Sequence, residues 1–276
     1  MPAEKRSVWY DAELDLEAYR FEGITQKFPN HFHEYYVFGF VEDGIRCLVC
    51  NSKEYILRPG GVVLFNPGDT HACAQEDGRA LDYRSLNIKE AAMERAVLEI
   101  TGQAFAPRFV QTVLYRSEIS HLLQELHGML CAGETDFIKE ELYLLFIAQL
   151  LHGQAQELHM QKESASDPFG VAATYMETHY TSSICLEELS HLCDMSKYHF
   201  LRAFTRSKGI TPYNYLETIR VNNAKKLLEQ GIPPAEAALM TGFGDQSHLT
   251  NRFKTRIGLT PGQYMHMFTS GDETDE

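Results

Sequence analysis

Gly242-Phe243-Gly244-Asp245-Gln246-Ser247-His248-Leu249-Thr250-Asn251-Arg252-Phe253-Lys254, running on through Gly258-Leu259-Thr260-Pro261-Gly262-Gln263-Tyr264, decides how this chain folds. Gly242 and Gly244 make a turn that tolerates positive φ, and Asp245 is placed to cap the helix that follows. Leu249, Phe253 and Ile257 recur every fourth residue and give that helix one apolar face. Gln246, Ser247, Thr250, Asn251 and Lys254 fill its other faces with amides, hydroxyls and a charge. Such side chains near the start of a short helix suit the major groove of DNA. An ordinary amphipathic surface helix would look much the same from this segment alone. That plainer reading loses because the pattern occurs twice.

The first copy lies some fifty residues upstream. Leu186, Leu189, Leu192 and Cys193 form the buried side of a short helix, Asp194-Met195-Ser196 is the turn, and Ser196 caps a second helix, Lys197 to Lys208. Phe200, Leu201 and Phe204 are its inward stripe, while Lys197, Tyr198, Arg202, Arg206 and Lys208 are available to DNA. Gly209 ends the helix as a C′ glycine would, and Thr211-Pro212 starts the next with a cap and a proline at N1. Thr260-Pro261 repeats this after the second copy. The order is helix-turn-helix, long helix, helix-turn-helix.

The region from Asp167 to Phe268 resembles the DNA-binding domain of AraC/XylS-type transcription regulators. Gly242-Phe243, Asp245-Gln246-Ser247-His248-Leu249, Arg252-Phe253-Lys254, Gly258 with Thr260-Pro261, and Tyr264 carry the resemblance in the second copy. Met195-Ser196, His199-Phe200-Leu201-Arg202, Phe204, Gly209 with Thr211-Pro212, Tyr215-Leu216 and Arg220 carry it in the first. The family usually has a basic residue at the position of Asn251 and often an arginine at that of Met265. The resemblance implies a regulator that contacts double-stranded DNA through Ser196, Lys197, Tyr198, Leu201, Arg202, Arg206, Gln246, Ser247, Thr250, Asn251 and Lys254.

The net charge of −13 is unevenly spread. Residues 1–163 carry −10 and the last eight residues −4, leaving 164–268 at +1 with its cations gathered in the two recognition helices. Counterion release depends on charges lying against phosphate, so overall acidity does not exclude DNA binding. No long apolar run or leader-like N-terminus is present, and the six cysteines lack a disulfide rhythm. A cytoplasmic protein away from the membrane is expected. Cys47 and Cys50, at an odd offset in a strand-like run, point to opposite faces.

From Gln26 to Ile88 short strands alternate with turns at Glu42-Asp43-Gly44, Arg58-Pro59-Gly60-Gly61 and Asn66-Pro67-Gly68-Asp69. His31-x-His33 with Pro59-Gly60 and Asn66-Pro67-Gly68-Asp69-Thr70-His71 resembles the cupin-type effector domain often joined to AraC-type DNA-binding domains. The expected fold is a cupin-like all-β barrel (1–116) with two appended helices (117–152), a linker (153–166), an all-α double helix-turn-helix domain (167–268) and an acidic tail (269–276). The two helices carry more apolar surface than one barrel face can cover, which with the resemblance implies a homodimer.

The barrel is expected to bind a small-molecule effector. Arg84 shares strand parity with Leu86 and Ile88 and is expected inside, paired either with a resident carboxylate (Glu34, Glu54 or Asp82) or with an anionic effector. His31, His33 and Tyr35 share one parity and would line the same cavity, with Arg46 a weaker candidate. No metal or other cofactor is expected. His31, His33 and His71 are the imidazoles that could hold a metal, but Tyr36, Val37 and Phe38 occupy the window where cupin enzymes place a carboxylate ligand. The function read here is an effector-controlled transcription regulator, an activator that would engage RNA polymerase. A metal-dependent cupin enzyme joined to a DNA-targeting domain, and a constitutive regulator whose barrel only dimerises, are the competing readings.

Overall fold

The computed structural model describes residues 4–76, 78–115, 117–133, 138–154 and 168–269. Residues 155–166 of the expected linker, Asp167, and residues 270–276 of the acidic tail lie outside the described residues, as do residues 134–137 between the two appended helices. Contacts divide the chain into two units. One comprises Met1–Lys27 and His33–Met160, the other Phe28–Phe32 and Gln161–Glu276.

In chain order the first part of the sequence forms β1 (Lys5–Asp11), β2 (Leu16–Ile24), β3 (Phe28–His31), β4 (Tyr35–Asp43), β5 (Arg46–Cys50), β6 (Lys53–Leu57), β7 (Val62–Phe65), β8 (His71–Gln75) and β9 (Leu81–Lys89). Helix α1 (Glu90–Thr101), β10 (Val113–Leu114), α2 (Ser117–Ala132) and α3 (Ile138–Gln154) follow. In the first unit a six-stranded antiparallel sheet runs β1-β2-β9-β4-β7-β10, and in a second sheet β5 lies between β6 and β8. Arg46 links the two sheets, donating from β5 to the carbonyl of Ile24 on β2 at 2.6 Å.

The register sorts the larger sheet into two faces. Leu86 lies between Ala18 and Phe38, and Ile88 between Leu16 and Tyr36. These side chains pack with Met93 and Val97 of α1, Leu123 and Leu126 of α2, and Phe146 and Ile147 of α3. Each such fully buried side chain contributes roughly 1.5–3 kcal/mol. The opposite row places Asn87 between Glu17 and Val37, and Ser85 between Tyr19 and Gly39. Gly39 is needed there, because a Cβ would fall 1.9 Å from the Tyr83 hydroxyl. The helix-covered face is thus wholly apolar along these rows, whereas the interior face sets Glu17, Ser85 and Asn87 among Val37, Val63 and Phe65. Lys139, 3% exposed, ties the first turn of α3 to the β1–β2 turn through Asp11 (2.7 Å) and Glu13 (3.0 Å).

The helical unit contains α4 (Gly170–His179), α5 (Leu186–Leu192), α6 (Lys197–Lys208), α7 (Pro212–Glu229), α8 (Pro234–Met240), α9 (Gln246–Ile257) and α10 (Pro261–Thr269). Ser196, Thr211 and Asp245 cap α6, α7 and α9 by accepting from the backbone amides of His199, Asn214 and His248. Phe200 and Phe204 pack with Phe169, Met176, Leu189, Ile210, Leu216 and Ile219, and Phe32 joins the same core. The Asn30 side-chain amide donates to the Gly209 carbonyl. The two halves meet at Gly242, whose φ is +79° and whose Cβ would stand 2.8 Å from the Tyr180 carbonyl oxygen. Only glycine satisfies both demands.

His127 on α2 is wholly buried. Its Nε2 donates to the Tyr19 carbonyl at 2.9 Å, which leaves Nδ1 to accept from the Cys131 thiol at 3.5 Å. Burial lowers its pKa from 6.5 to about 4, and the nearby Arg84 and Arg20 charges act in the same direction. His71 is lowered to about 4 for the same first reason. A depressed histidine contributes its full stability above the unfolded pKa and loses it as pH falls from 6.5 towards 4, because only the unfolded chain takes up the proton. Melting of the full chain should therefore weaken steadily across that interval. His127→Gln should flatten the slope, and a slope unchanged by the substitution would count against this assignment.

Candidate DNA-reading surface and effector interior

The turn residues and caps bring α6 and α9 to the surface with polar side chains outward. Lys197, Arg202 and Arg206 on α6 and the capping Ser196 are exposed, and Leu201 is half-buried. Lys197 reaches Glu187 of α5 at 3.2 Å across an open surface, a pair of small energetic consequence there. Tyr198 lies in α6, and its side chain is outside what is described. On α9 Gln246, Ser247, Asn251 and Lys254 are exposed and Thr250 is half-buried, beside the buried Leu249, Phe253 and Ile257. Both helices therefore present hydrogen-bonding and cationic groups on a firmly packed base.

One group that shapes this surface was not anticipated. Glu217 of α7 is 0% exposed and lies 2.8 Å from Arg252 Nε on α9. Its signal in the sequence is a carboxylate within the stripe Glu217, Val221, Ala224 and Leu228, all of it buried.

In the β unit the structure corrects three expectations. Arg84 keeps the parity of Leu86 and Ile88, but that parity faces the helices rather than the interior. Its guanidinium pairs with Glu42 (2.7 and 2.8 Å) and none of the three carboxylates expected. Second, His31, His33 and Tyr35 do not share one strand: β3 ends at His31, β4 begins at Tyr35, and His33 lies in the bend between. His31 groups with the helical unit, where its Nδ1 is 2.7 Å from the Pro29 carbonyl. Third, Arg46 is 1% exposed and donates to the carbonyls of Ile45, Arg79 and Ile24, a structural clamp.

Of the residues expected there, His33 and Tyr35 do line the interior of this unit, beside others. The His33 ring stacks on Tyr35 at 4.8 Å and lies 5.0 Å from His71, which stacks on Phe65 at 3.9 Å. Glu17, Tyr19, Ser85 and Asn87 continue the surface and are all buried. The Asn87 amide nitrogen lies 3.4 Å from a Glu17 carboxylate oxygen. Asn87 Oδ1 is buried and has no hydrogen-bond partner among the described residues.

The comparisons with known proteins agree with this architecture. The model of the AraC-like ligand binding domain matches residues 13–146, and that of a helix-turn-helix domain matches residues 189–267. The HTH-type transcriptional regulator YbfI of Bacillus subtilis (strain 168) is 50% identical over 250 residues, covering 90% of this chain and 91% of its own. The HTH-type transcriptional activator RhaS of Klebsiella pneumoniae (strain 342) is 24% identical over 242 residues, covering 85% and 86%. The crystal structure of an apo ToxT variant from Vibrio cholerae strain SCE256 superposes with a TM-score of 0.56 at 15% identity, covering 95% of this chain and all of that one. Wild-type ToxT bound to an unsaturated fatty acid gives 0.53 at 15% identity, covering 99% of each chain. At that identity the likeness is one of fold. The chain belongs to the AraC-type family of helix-turn-helix transcription regulators. It is a DNA-binding transcription regulator with an AraC-like ligand-binding domain.

If α6 and α9 each enter a major groove, Arg202 and Asn251 are expected to read bases, and Lys197, Arg206 and Lys254 to meet phosphate. Arg202→Ala should cost roughly 1–3 kcal/mol on the specific site and relax preference at one position. Lys254→Ala should weaken all sequences alike and make the salt dependence shallower. Equal losses on every sequence for Arg202→Ala would make it a phosphate contact.

Proposed function

We propose that a small organic effector enters the interior of the β unit and governs how α6 and α9 engage two segments of major groove. The observation that carries this is the polar inner face. Glu17, Ser85 and Asn87 stand in the sheet interior beside Tyr35, His33 and His71, and the buried Asn87 Oδ1 lacks a partner. A buried acceptor without a donor costs about 1–3 kcal/mol, which a ligand donor would recover. ToxT is solved with an unsaturated fatty acid and RhaS is named an activator. The first supports an organic effector and the second an activating role, which we propose is exerted on RNA polymerase.

The chain is proposed to act in the cytoplasm without a metal cofactor. Among the described residues no helix is long and apolar enough to cross a membrane. A homodimer through α2 and α3 is supported by Ile138 and Leu145, two turns apart on α3 and 44% and 54% exposed. Mass spectrometry of the purified full chain under native conditions tests the effector reading. An added organic mass, lost on denaturation and on Asn87→Leu, is expected. A stoichiometric metal in its place would favour the enzyme reading.

A further inference from the structure

Helix α9 carries three cations, and only Lys254 among them is exposed. Arg252 turns back towards α7. Its Nε lies 2.8 Å from Glu217 Oε2, its Nη2 donates to the Tyr213 hydroxyl at 3.3 Å, and its guanidinium sits 5.8 Å from the centre of the Tyr213 ring. Arg256 is 4% exposed, and the Glu217 charge supports its ionised form against burial. Arg220 Nη1 is 3.9 Å from Glu217 Oε1, and His248 Nε2 is 3.9 Å from Oε2. A single carboxylate with no exposed surface faces three guanidiniums and an imidazole.

We propose that Glu217 is a positioning residue for base reading: it holds Arg252 off the DNA and fixes the roll of α9 so that Gln246, Thr250 and Asn251 face the base edges. This rests on the reading that α9 lies in a major groove. Neutralising Glu217 would leave three guanidiniums facing one another without a counter-charge, which a buried site does not tolerate. Arg256 is almost fully enclosed, at 4% exposed. Arg252, with 38% of its side chain already exposed, has a route to solvent. Released, it would bring a new cation against phosphate while α9 loses the contact that sets its roll. The signature is therefore specific: base preference falls in the half of the site read by α9, while binding to arbitrary sequence becomes more salt-dependent. A merely structural lesion weakens both halves and does not steepen the salt slope.

The test uses the full chain and its Glu217→Gln variant. Each is taken through selection on randomised DNA duplexes, then titrated at several salt concentrations on one duplex of arbitrary sequence. The wild type is expected to enrich a two-part site, with the α6 part identified by its loss in Arg202→Ala. E217Q should keep that part, lose preference in the other at least tenfold, and show a log–log salt slope steeper by about one. An E217Q protein that enriches the same two-part site with an unchanged slope, or that loses both parts together, overturns the proposal. If E217Q does not fold, Arg252→Lys decides: it keeps the charge but not the fork, and wild-type preference in the second part would overturn the assignment. A wild-type selection with no second part would instead overturn base reading by α9, and the proposal with it.

Discussion

Helix α7 serves both halves of the helical unit at once, and the side chains along it set where each recognition helix lies. Near its start Tyr215 meets Phe204 of α6 at 5.6 Å. Arg220, a turn further on, donates to the carbonyls of Tyr180 and Ser182 at 2.8 and 2.9 Å. Glu217 holds α9 through Arg252, and Glu229 at the far end accepts from the Tyr264 hydroxyl of α10 at 2.8 Å. The helix is 18 residues long, and its one proline is at the first turn. It spans about 27 Å without an interior breaker. A continuous helix gripped along its length is a ruler, and the two recognition helices inherit its spacing.

The β unit depends on a different constraint. Its larger sheet is buried on both faces, so neither face can be recognised by dryness alone. Covering one face with α1, α2 and α3 collects Leu86, Ile88, Phe38 and Phe40 there and leaves the polar row Glu17, Ser85 and Asn87 for the other. A polar interior lowers the stability available from burial, and the helices restore it from outside. Recognition chemistry can then be placed inside a β structure without dissolving its core.

Much of the helical unit was legible because its signals are local. Caps at Ser196, Thr211 and Asp245, glycines at 209 and 258, and stripes of apolar residues each act within a turn of helix, and α6 and α9 fall where those signals put them. The β unit was less legible because sheets are made of distant partners. Strands β1 and β2 precede the region read as β, their charged residues resembling a solvated segment. The stripe of α1 is built largely of small residues, Ala92 and Ala96 beside Met93 and Val97, and gave little periodic signal. Parity was read correctly for Arg84, but parity does not say which face is the interior; that depends on α1, α2 and α3, which all follow it in the chain. The His31–Tyr35 stretch looked like one strand because the bend at His33 has no glycine or proline to mark it. Glu217 was less legible because its closest partner, Arg252, lies on another helix.

On the proposed reading, a single helical unit reads two stretches of major groove held apart by α7. Mapping guanine N7 protection on a duplex selected by the full chain tests it most directly. Major-groove contacts are expected in pairs, the two patches of a pair one helical turn apart, ~10 bp, on the same side of the duplex. Patches that occur singly, or a pair whose members lie on opposite sides of the duplex, would contradict it.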